Sequence, residues 1–292
     1  MTAAALVTAV AGCGSSTPRP PTIGPAAAVT SPDQIHRPID RYTLSVADAR
    51  ILHRGVQIAI AHCMQQFGFP PAPGPAADMA AAAAQIRSRS AVYGFFAPQT
   101  AAQHGYSAHH TLPPEAAVPA PADQVKVLQG VLPDGTVATT FRGMPIPKGG
   151  CTQAGLAEVG GDPPLPLDTS PLPDHGPRVP ATDPRLAAVD AAWSKCMASR
   201  GYHYATPVDA IADPRWRASR TTTPDEIATA TADIACKQAT NLVGIAIAVE
   251  SAYDDQYISS HADALRVYDR TSHSNVQKAA AVLARDGSPT PG

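Results

Sequence analysis

Val56-Gln-Ile-Ala-Ile-Ala-His-Cys63-Met64-Gln-Gln-Phe-Gly68-Phe69-Pro70 returns later in the chain as Val189-Asp-Ala-Ala-Trp193-Ser-Lys-Cys196-Met197-Ala-Ser-Arg-Gly201-Tyr202-His203. The two copies share Val, an Ala three residues on, Cys-Met, and then Gly followed by an aromatic. Around the first copy Ile51, Leu52, Val56, Ala59, Ile60, Cys63, Met64 and Phe67 recur at spacings of three and four. That spacing predicts a helix with one apolar stripe. In the second copy Leu186, Val189, Trp193, Cys196 and Met197 form the equivalent stripe. Gly68 and Gly201 supply the left-handed residue that ends a helix. Both helices also carry start signals. Ser45 with Asp48 three residues on is a capping-box arrangement. Asp183 caps the second, with Pro184 in the first turn, where its missing N–H costs nothing.

A second correspondence follows each copy. Cys151-Thr-Gln153-Ala154 resembles Cys236-Lys-Gln238-Ala239. Each half therefore reads as a helix ending in Cys-Met-x-x-x-Gly-aromatic, a variable insert, and a second helix opening near Cys-x-Gln-Ala. Of the five cysteines, Cys13 stands apart near the N-terminus, leaving Cys63, Cys151, Cys196 and Cys236. In an exported chain an even remainder reads as two disulfides; in a cytosolic one, as four free thiols. Four cysteines allow three pairings. If each half carries its own staple, the duplication selects Cys63 with Cys151 and Cys196 with Cys236. None of the four lies in a Cys-x-x-Cys pair or beside a His at ligand spacing, which argues against zinc and against a thioredoxin-like pair.

Outward from these units, Thr223-Pro224-Asp225-Glu226 is the cleanest helix start in the chain. A helical pattern then runs through Ile227, Ile234, Leu242, Ile245, Val249, Tyr253, Tyr257, Ile258, Leu265 and Tyr268 to Leu283, with breaks expected at Gly244 and around 271–275. This segment is expected to fold back on both Cys-Met helices, with Trp193 in a shared core. Val125 to Leu132 and Thr136 to Phe141 are β-prone runs around Pro133-Asp134-Gly135, predicting a small β-hairpin near 125–141. The fold class is thus mainly α: a helical body with one hairpin, two disulfide-stapled repeat-like halves and a disordered N-terminal tether.

Pro and Gly are abundant, at 31 and 21 residues, and aromatics are few, with two Trp, eight Tyr and five Phe. Small, Ala-rich cores dependent on disulfides are expected. The chain divides into an N-terminal segment 1–12, a tether 13–40, a first half 41–159, a proline-rich linker 160–184, a second half 185–285 and a disordered tail 286–292. A net charge of −2 without long charged runs gives no electrostatic ground for nucleic-acid binding. The longest later apolar run, Leu242 to Val249, falls far short of the roughly 20 residues that span a bilayer.

An apolar stretch from Ala3 closes with Val10-Ala11-Gly12-Cys13. Small residues followed at once by cysteine resemble a bacterial lipobox. The resemblance implies a signal peptide over 1–12, cleavage before Cys13 and diacylglycerol on its thiol, with palmitate among the expected acyl groups. Residues 1–12 carry no Lys or Arg, so either the true start lies upstream or the segment is only an apolar N-terminus. Residues 14–38, rich in Ser, Thr, Pro and Ala, have the composition of a flexible tether.

A wider resemblance rests on several tokens: Cys63-Met64 through Gly68-Phe69, Val92-Tyr93-Gly94-Phe95, Leu132-Pro-Asp-Gly-Thr136 and Gly149-Gly150-Cys151. It continues with Trp193 through Tyr202, Asp233-Ile-Ala-Cys236-Lys237, and Val249-Glu250-Ser-Ala-Tyr253. In order and spacing these are similar to a group of small secreted lipoproteins of actinobacteria without an assigned biochemical activity. The resemblance covers most of residues 40–285 and implies an exported, lipid-anchored, mostly helical body. It carries over no catalytic or ligand residues. The proline-rich insert at 160–184 departs from the family pattern.

No stretch carries a catalytic or cofactor motif. His109-His110, with His104 nearby, sits in a Gly, Ser and Ala-rich stretch and reads as a surface loop rather than a metal site. Ser107 and Ser199 lack a nucleophile-elbow frame. Asp162, Asp168 and Asp174 lie among prolines, and Asp254-Asp255 reads as a solvated helix face. Gly149-Gly150 and Gly160-Gly161 read as turns. Tyr253, Tyr257 and Tyr268 are the candidate interaction surface, with core packing as the competing reading. The expected function is a non-catalytic cell-envelope lipoprotein. It would bind a partner or ligand, an envelope protein or a cell-wall component, on the outer face of the cytoplasmic membrane. It would use no cofactor and contact the membrane through lipid at Cys13. The alternative is an envelope hydrolase, which a cleft lined by convergent titratable groups would favour.

Overall fold

The computed structural model describes residues 19–31, 34–70, 78–89, 98–106, 120–132, 134–218 and 221–287. Among these residues it is mainly helical, with α2 (Met79–Arg89), α7 (Pro207–Ile211) and α8 (Pro214–Ala218) among its shorter helices and a two-stranded antiparallel sheet. Helix α1 (Val46–Gln66) begins at Ser45, whose Oγ accepts the Asp48 N–H at 3.0 Å. Helix α6 (Pro184–Ser199) begins at Asp183, which accepts the Arg185 N–H at 3.0 Å. The repeated motif proves to be a helix stop used twice. Gly68 and Gly201 take φ of +82° and +88°. Phe69 N–H then reaches back to the Met64 carbonyl (3.2 Å) and Tyr202 N–H to that of Met197 (3.0 Å). This is the Schellman pairing, in which the glycine permits the turn and the bonded methionine is held against the core. Met64 and Met197 are both buried.

Both disulfides form as the duplication predicts, Cys63–Cys151 and Cys196–Cys236, with Cα atoms 5.5 and 5.6 Å apart. Their settings differ. Cys151 lies in the first turn of α5 (Gly150–Val159), but Cys236 lies in the last turn of α9 (Pro224–Ala239). The expectation of a helix opening near Cys-x-Gln-Ala therefore holds only in the first half. In the second, Thr223 caps the helix far upstream by accepting the Glu226 N–H.

The hairpin is displaced. Residues expected to form its first strand form helix α4 (Ala122–Gln129), closed by Gly130 at φ +68°. The sheet pairs β1 (Thr140–Phe141) with β2 (Met144–Pro145), and only a Val131–Val137 bridge spans the predicted turn. Packing overrides β-propensity here. Val127 is fully buried from a helical backbone, and Gly130 abuts Gly150 so closely that a Cβ would lie 2.6 Å from the Gly150 nitrogen.

The C-terminal segment breaks at other places than expected. Asn241 (φ +50°) separates α9 from α10 (Leu242–Ser260), and His261 separates α10 from α11 (Ala262–Arg285). Gly244 lies inside α10, where it makes room for another segment: a side chain there would collide with the Ala27 carbonyl. Residues 271–275 stay helical, and Thr271 returns its hydroxyl to the Val267 carbonyl at 3.0 Å.

The segment folds back on both Cys-Met helices, α10 on α6 and α11 on α1. It does so in separate cores. Trp193, Met197, Trp216, Ile234 and Leu242 form one; Leu52, Ile58, Ala59, Val282 and Leu283 form another. The halves are also interlaced. Helix α3 (Pro98–His104), from the first half, packs on α9, and Ala101 and Tyr106 join the core of Trp193. Two segments expected to be loose are packed. Leu172, in the proline-rich stretch, is buried with Ile39, Tyr257, Ile258 and Leu265. Residues 19–31 and 34–40 lie as a strap on α10, with Ile35 and Ile39 buried.

Candidate functional site

The most unusual chemistry in the molecule is buried. On α9, Asp233 and Lys237 stand one helical turn apart on the face that carries Ala230 and Ile234 into the core. Lys237 Nζ donates to Asp233 Oδ2 at 3.0 Å, Tyr106 Oη donates to the same oxygen at 3.2 Å, and Trp193 Nε1 donates to Oδ1 at 2.9 Å. Asp233 and Trp193 are 0% exposed and Lys237 is 1% exposed. Burial pushes the Asp233 carboxyl up and the Lys237 ammonium down, while their mutual attraction opposes both shifts. Burial and the adjoining Asp233 also raise the Tyr106 phenol. A carboxylate supplied with three donors and closed to water holds three elements together, α6, α9 and the turn that follows α3. It offers no open position to a substrate.

A second set of charges fixes the strap and the start of α6. Arg37 grips Asp254 with both Nε (3.0 Å) and Nη2 (2.5 Å), and its Nη1 lies 2.8 Å from Glu250 Oε2. Asp254 is fully buried, so the expectation of a solvated Asp254-Asp255 face holds only for exposed Asp255. Asp183 is also buried, held by Arg185 through Nε (2.9 Å) and Nη2 (2.6 Å) and by Tyr253 Oη (3.0 Å). The Arg185 hydrogen bonds bring its carboxyl down to about 2.

Tyr253, Tyr257 and Tyr268 are therefore not an open interaction stripe. Tyr253 bonds Asp183, and Tyr257 is 7% exposed, donates to the Pro173 carbonyl at 2.5 Å and stacks on His261. Tyr268 packs against the same Ile39–Leu172 cluster. The proline-rich stretch covers this face through Leu172 and Pro173. His261 Nε2 reaches Asp174 at 3.1 Å across the same junction.

The open surface lies elsewhere. A cleft of about 700 Å³ runs along α6, lined by Leu186, Asp190, Ser194, Lys195, Ala198 and Thr206, among others. Burial raises the Asp190 carboxyl, with Asp209 adding to the shift. The Ser194 hydroxyl is turned away, donating to the Tyr204 carbonyl at 2.6 Å. Ser199 likewise donates to the Cys196 carbonyl at 2.7 Å. Cys13, Ser107 and His109-His110 lie outside the described residues, while His104 ends α3. Among the described residues no three His, Cys, Asp or Glu side chains are grouped as a metal site. No single helix among them is long and apolar enough to cross a membrane; α9 and α10 pass that test only together, bent by 61°.

The Asp233–Lys237 pair escaped the sequence reading although a signal was present. Both residues fall on the apolar stripe that includes Ala230 and Ile234, and charged residues on such a stripe are buried only when paired. Tyr106 and Trp193 could not have been assigned to them, being remote in sequence. No family model, no curated protein and no solved structure matches this chain.

Proposed function

We propose that the chain is an extracytoplasmic lipoprotein, lipidated at Cys13 and held at the outer face of a bacterial cytoplasmic membrane, with a non-catalytic binding body. The observation that carries this reading is the cysteine arrangement. Both disulfides draw on all four cysteines beyond Cys13, as expected of a chain that folds in an oxidising compartment. Cys13 is left over, at the end of an apolar run and after small residues, where a lipidation signal places it. The body then serves as a rigid, stapled platform. Its α6 cleft, Ala-lined with Asp190 and Lys195 on its walls, is the surface offered to an envelope partner.

Two measurements test this. Expressed in an actinobacterial host from a gene with an extended upstream start, the protein should partition into detergent and carry a diacylglycerol on Cys13 by mass. Cys13→Ala should appear in the supernatant or remain uncleaved. A wild-type protein that is soluble and lipid-free defeats the proposal. For binding, Leu186→Arg and Ala191→Trp, both in the cleft, should abolish envelope cross-links that the wild type forms. Unchanged cross-links would remove the cleft from the reading.

A further inference from the structure

Residues 13–40 read in sequence as one long tether, but the structure leaves little of it to act as one. The Pro21 carbonyl accepts from Arg185 Nη1 at 2.5 Å, and the Ala26 carbonyl accepts from Asn241 Nδ2 at 3.1 Å. Ala27 is seated over Gly244, and Arg37 is locked to Asp254 and Glu250. The strap is thus tied to α6 and α10 along most of its length. From Cys13 to the first tie at Pro21 the chain can reach at most about 29 Å when fully extended, against about 97 Å had the whole segment to residue 40 been free.

The strap's chemistry suits what that short reach imposes. From Cys13 to Pro32 there is no acidic residue and one cation, Arg19. Arg19, Pro20, Thr22, Gly24 and Pro25 are exposed. Beside them an open cleft of about 330 Å³ separates the strap from α10, lined by Thr22, Pro25, Val29, Ile247, Ala252 and Asp255 among others. The segment from Cys13 to Pro32, weakly polar with one cation at its anchored end, brings no acidic residue of its own to an anionic headgroup layer and has little to desolvate there. Asp255, on the α10 side, is the single acidic residue lining the cleft.

We infer that the strap and the adjoining flank of α10 lie on the lipid bilayer surface. The bilayer is then this face's partner, and the body rests against the membrane instead of projecting into the cell wall. The inference rests on the lipidation of Cys13 and adds to it an orientation.

The test uses the full-length lipidated protein with Thr22→Trp as a reporter, since native Trp193 and Trp216 are buried. It is reconstituted in phosphatidylcholine–phosphatidylglycerol vesicles carrying nitroxide on a fraction of headgroups. A second version carries a long Gly/Ser insert between Thr17 and Pro18. At native tether length the reporter should lose most of its emission, while the insert should restore it. Equal quenching in both versions, with lipid on Cys13 verified by mass, overturns the docked orientation alone. A protein without lipid by mass overturns the lipoprotein reading and this inference with it.

Discussion

Trp193 donates its indole N–H to Asp233 at 2.9 Å, although the two residues lie on different helices and are both closed to solvent. Their bond makes the core of the second half polar at its centre. Breaking a buried ion pair by removing one member leaves an uncompensated charge, whereas replacing both with apolar residues is often neutral. Asp233→Asn and Lys237→Met should each cost about 3–5 kcal/mol in urea unfolding. Asp233→Leu combined with Lys237→Met should regain only part of that loss, because Tyr106 and Trp193 lose their acceptor. If the double variant is as unstable as the sum of the singles, the two residues are not coupled and mutual compensation is ruled out.

Trp193→Ala should cost about 3–5 kcal/mol, as truncation of a fully buried Trp does. Trp193→Phe keeps one aromatic ring but removes the donor to Asp233, costing about 1–3 kcal/mol. It also removes the rest of the indole volume, which adds a cavity cost. A loss below about 1 kcal/mol for the alanine variant would mean that Trp193 is not the centre of this core.

Non-reducing peptide mapping should yield Cys63 joined to Cys151 and Cys196 joined to Cys236. The sequence separations are 88 and 40 residues. Loops of that size correspond to about 4–5 kcal/mol each in the chain-entropy account, comparable to the whole stability of a small domain. Reduction should therefore unfold the body, as read by loss of a cooperative thermal transition. A peptide joining Cys63 to Cys196 would contradict the two-staple arrangement.

Helix α1 meets α11 at a contact without spare room. A Cβ on Gly55 would lie 2.7 Å from the Cβ of Ala279. Gly55→Ala raises intrinsic helix propensity by about 1 kcal/mol, yet overpacking of this kind costs about 1–3 kcal/mol. A net loss is expected, partly relieved by Ala279→Gly. Unfolding midpoints of the two singles and the double decide it, and a stabilised Gly55→Ala would place α11 farther from α1.

The buried Asp183 gives the molecule an acid-sensitive joint. Its carboxyl titrates near 2 in the folded chain, against about 3.9 unfolded. A depressed carboxylate stabilises the fold fully above the unfolded value, and that contribution is lost as pH falls from about 4 to 2. Asn also caps helices, so Asp183→Asn removes the charge and keeps the cap. The variant should be about 1–2 kcal/mol less stable at pH 7, with the gap closing over that acid window. A gap independent of pH would mean that the Arg185 pairing contributes nothing.

The features legible in the amino-acid order are those settled within a few residues. Ser45, Asp183 and Thr223 start helices and Gly68 and Gly201 stop them, because each cap bonds groups two to five positions away. The duplication adds the disulfide pairing, since both copies carry their cysteines in the same order. The errors share one cause, which is a partner remote in the chain. Val125 to Leu132 looked like a strand until Gly150 and the burial of Val127 made it helical. Gly244 looked like a break because its reason for being glycine is Ala27. For Tyr257 the choice between core packing and an interaction surface stayed open, because Pro173 and Leu172, which cover it, are remote in the chain. The tether looked free because Arg185, Asn241 and Asp254, which fix it, lie far along the sequence. Those contacts emerge only in the folded chain, along with the buried Asp233–Lys237 pair and the passage of α3 from the first half onto α9. Local caps are bonded within one turn, whereas burial is a property of which surfaces finally meet.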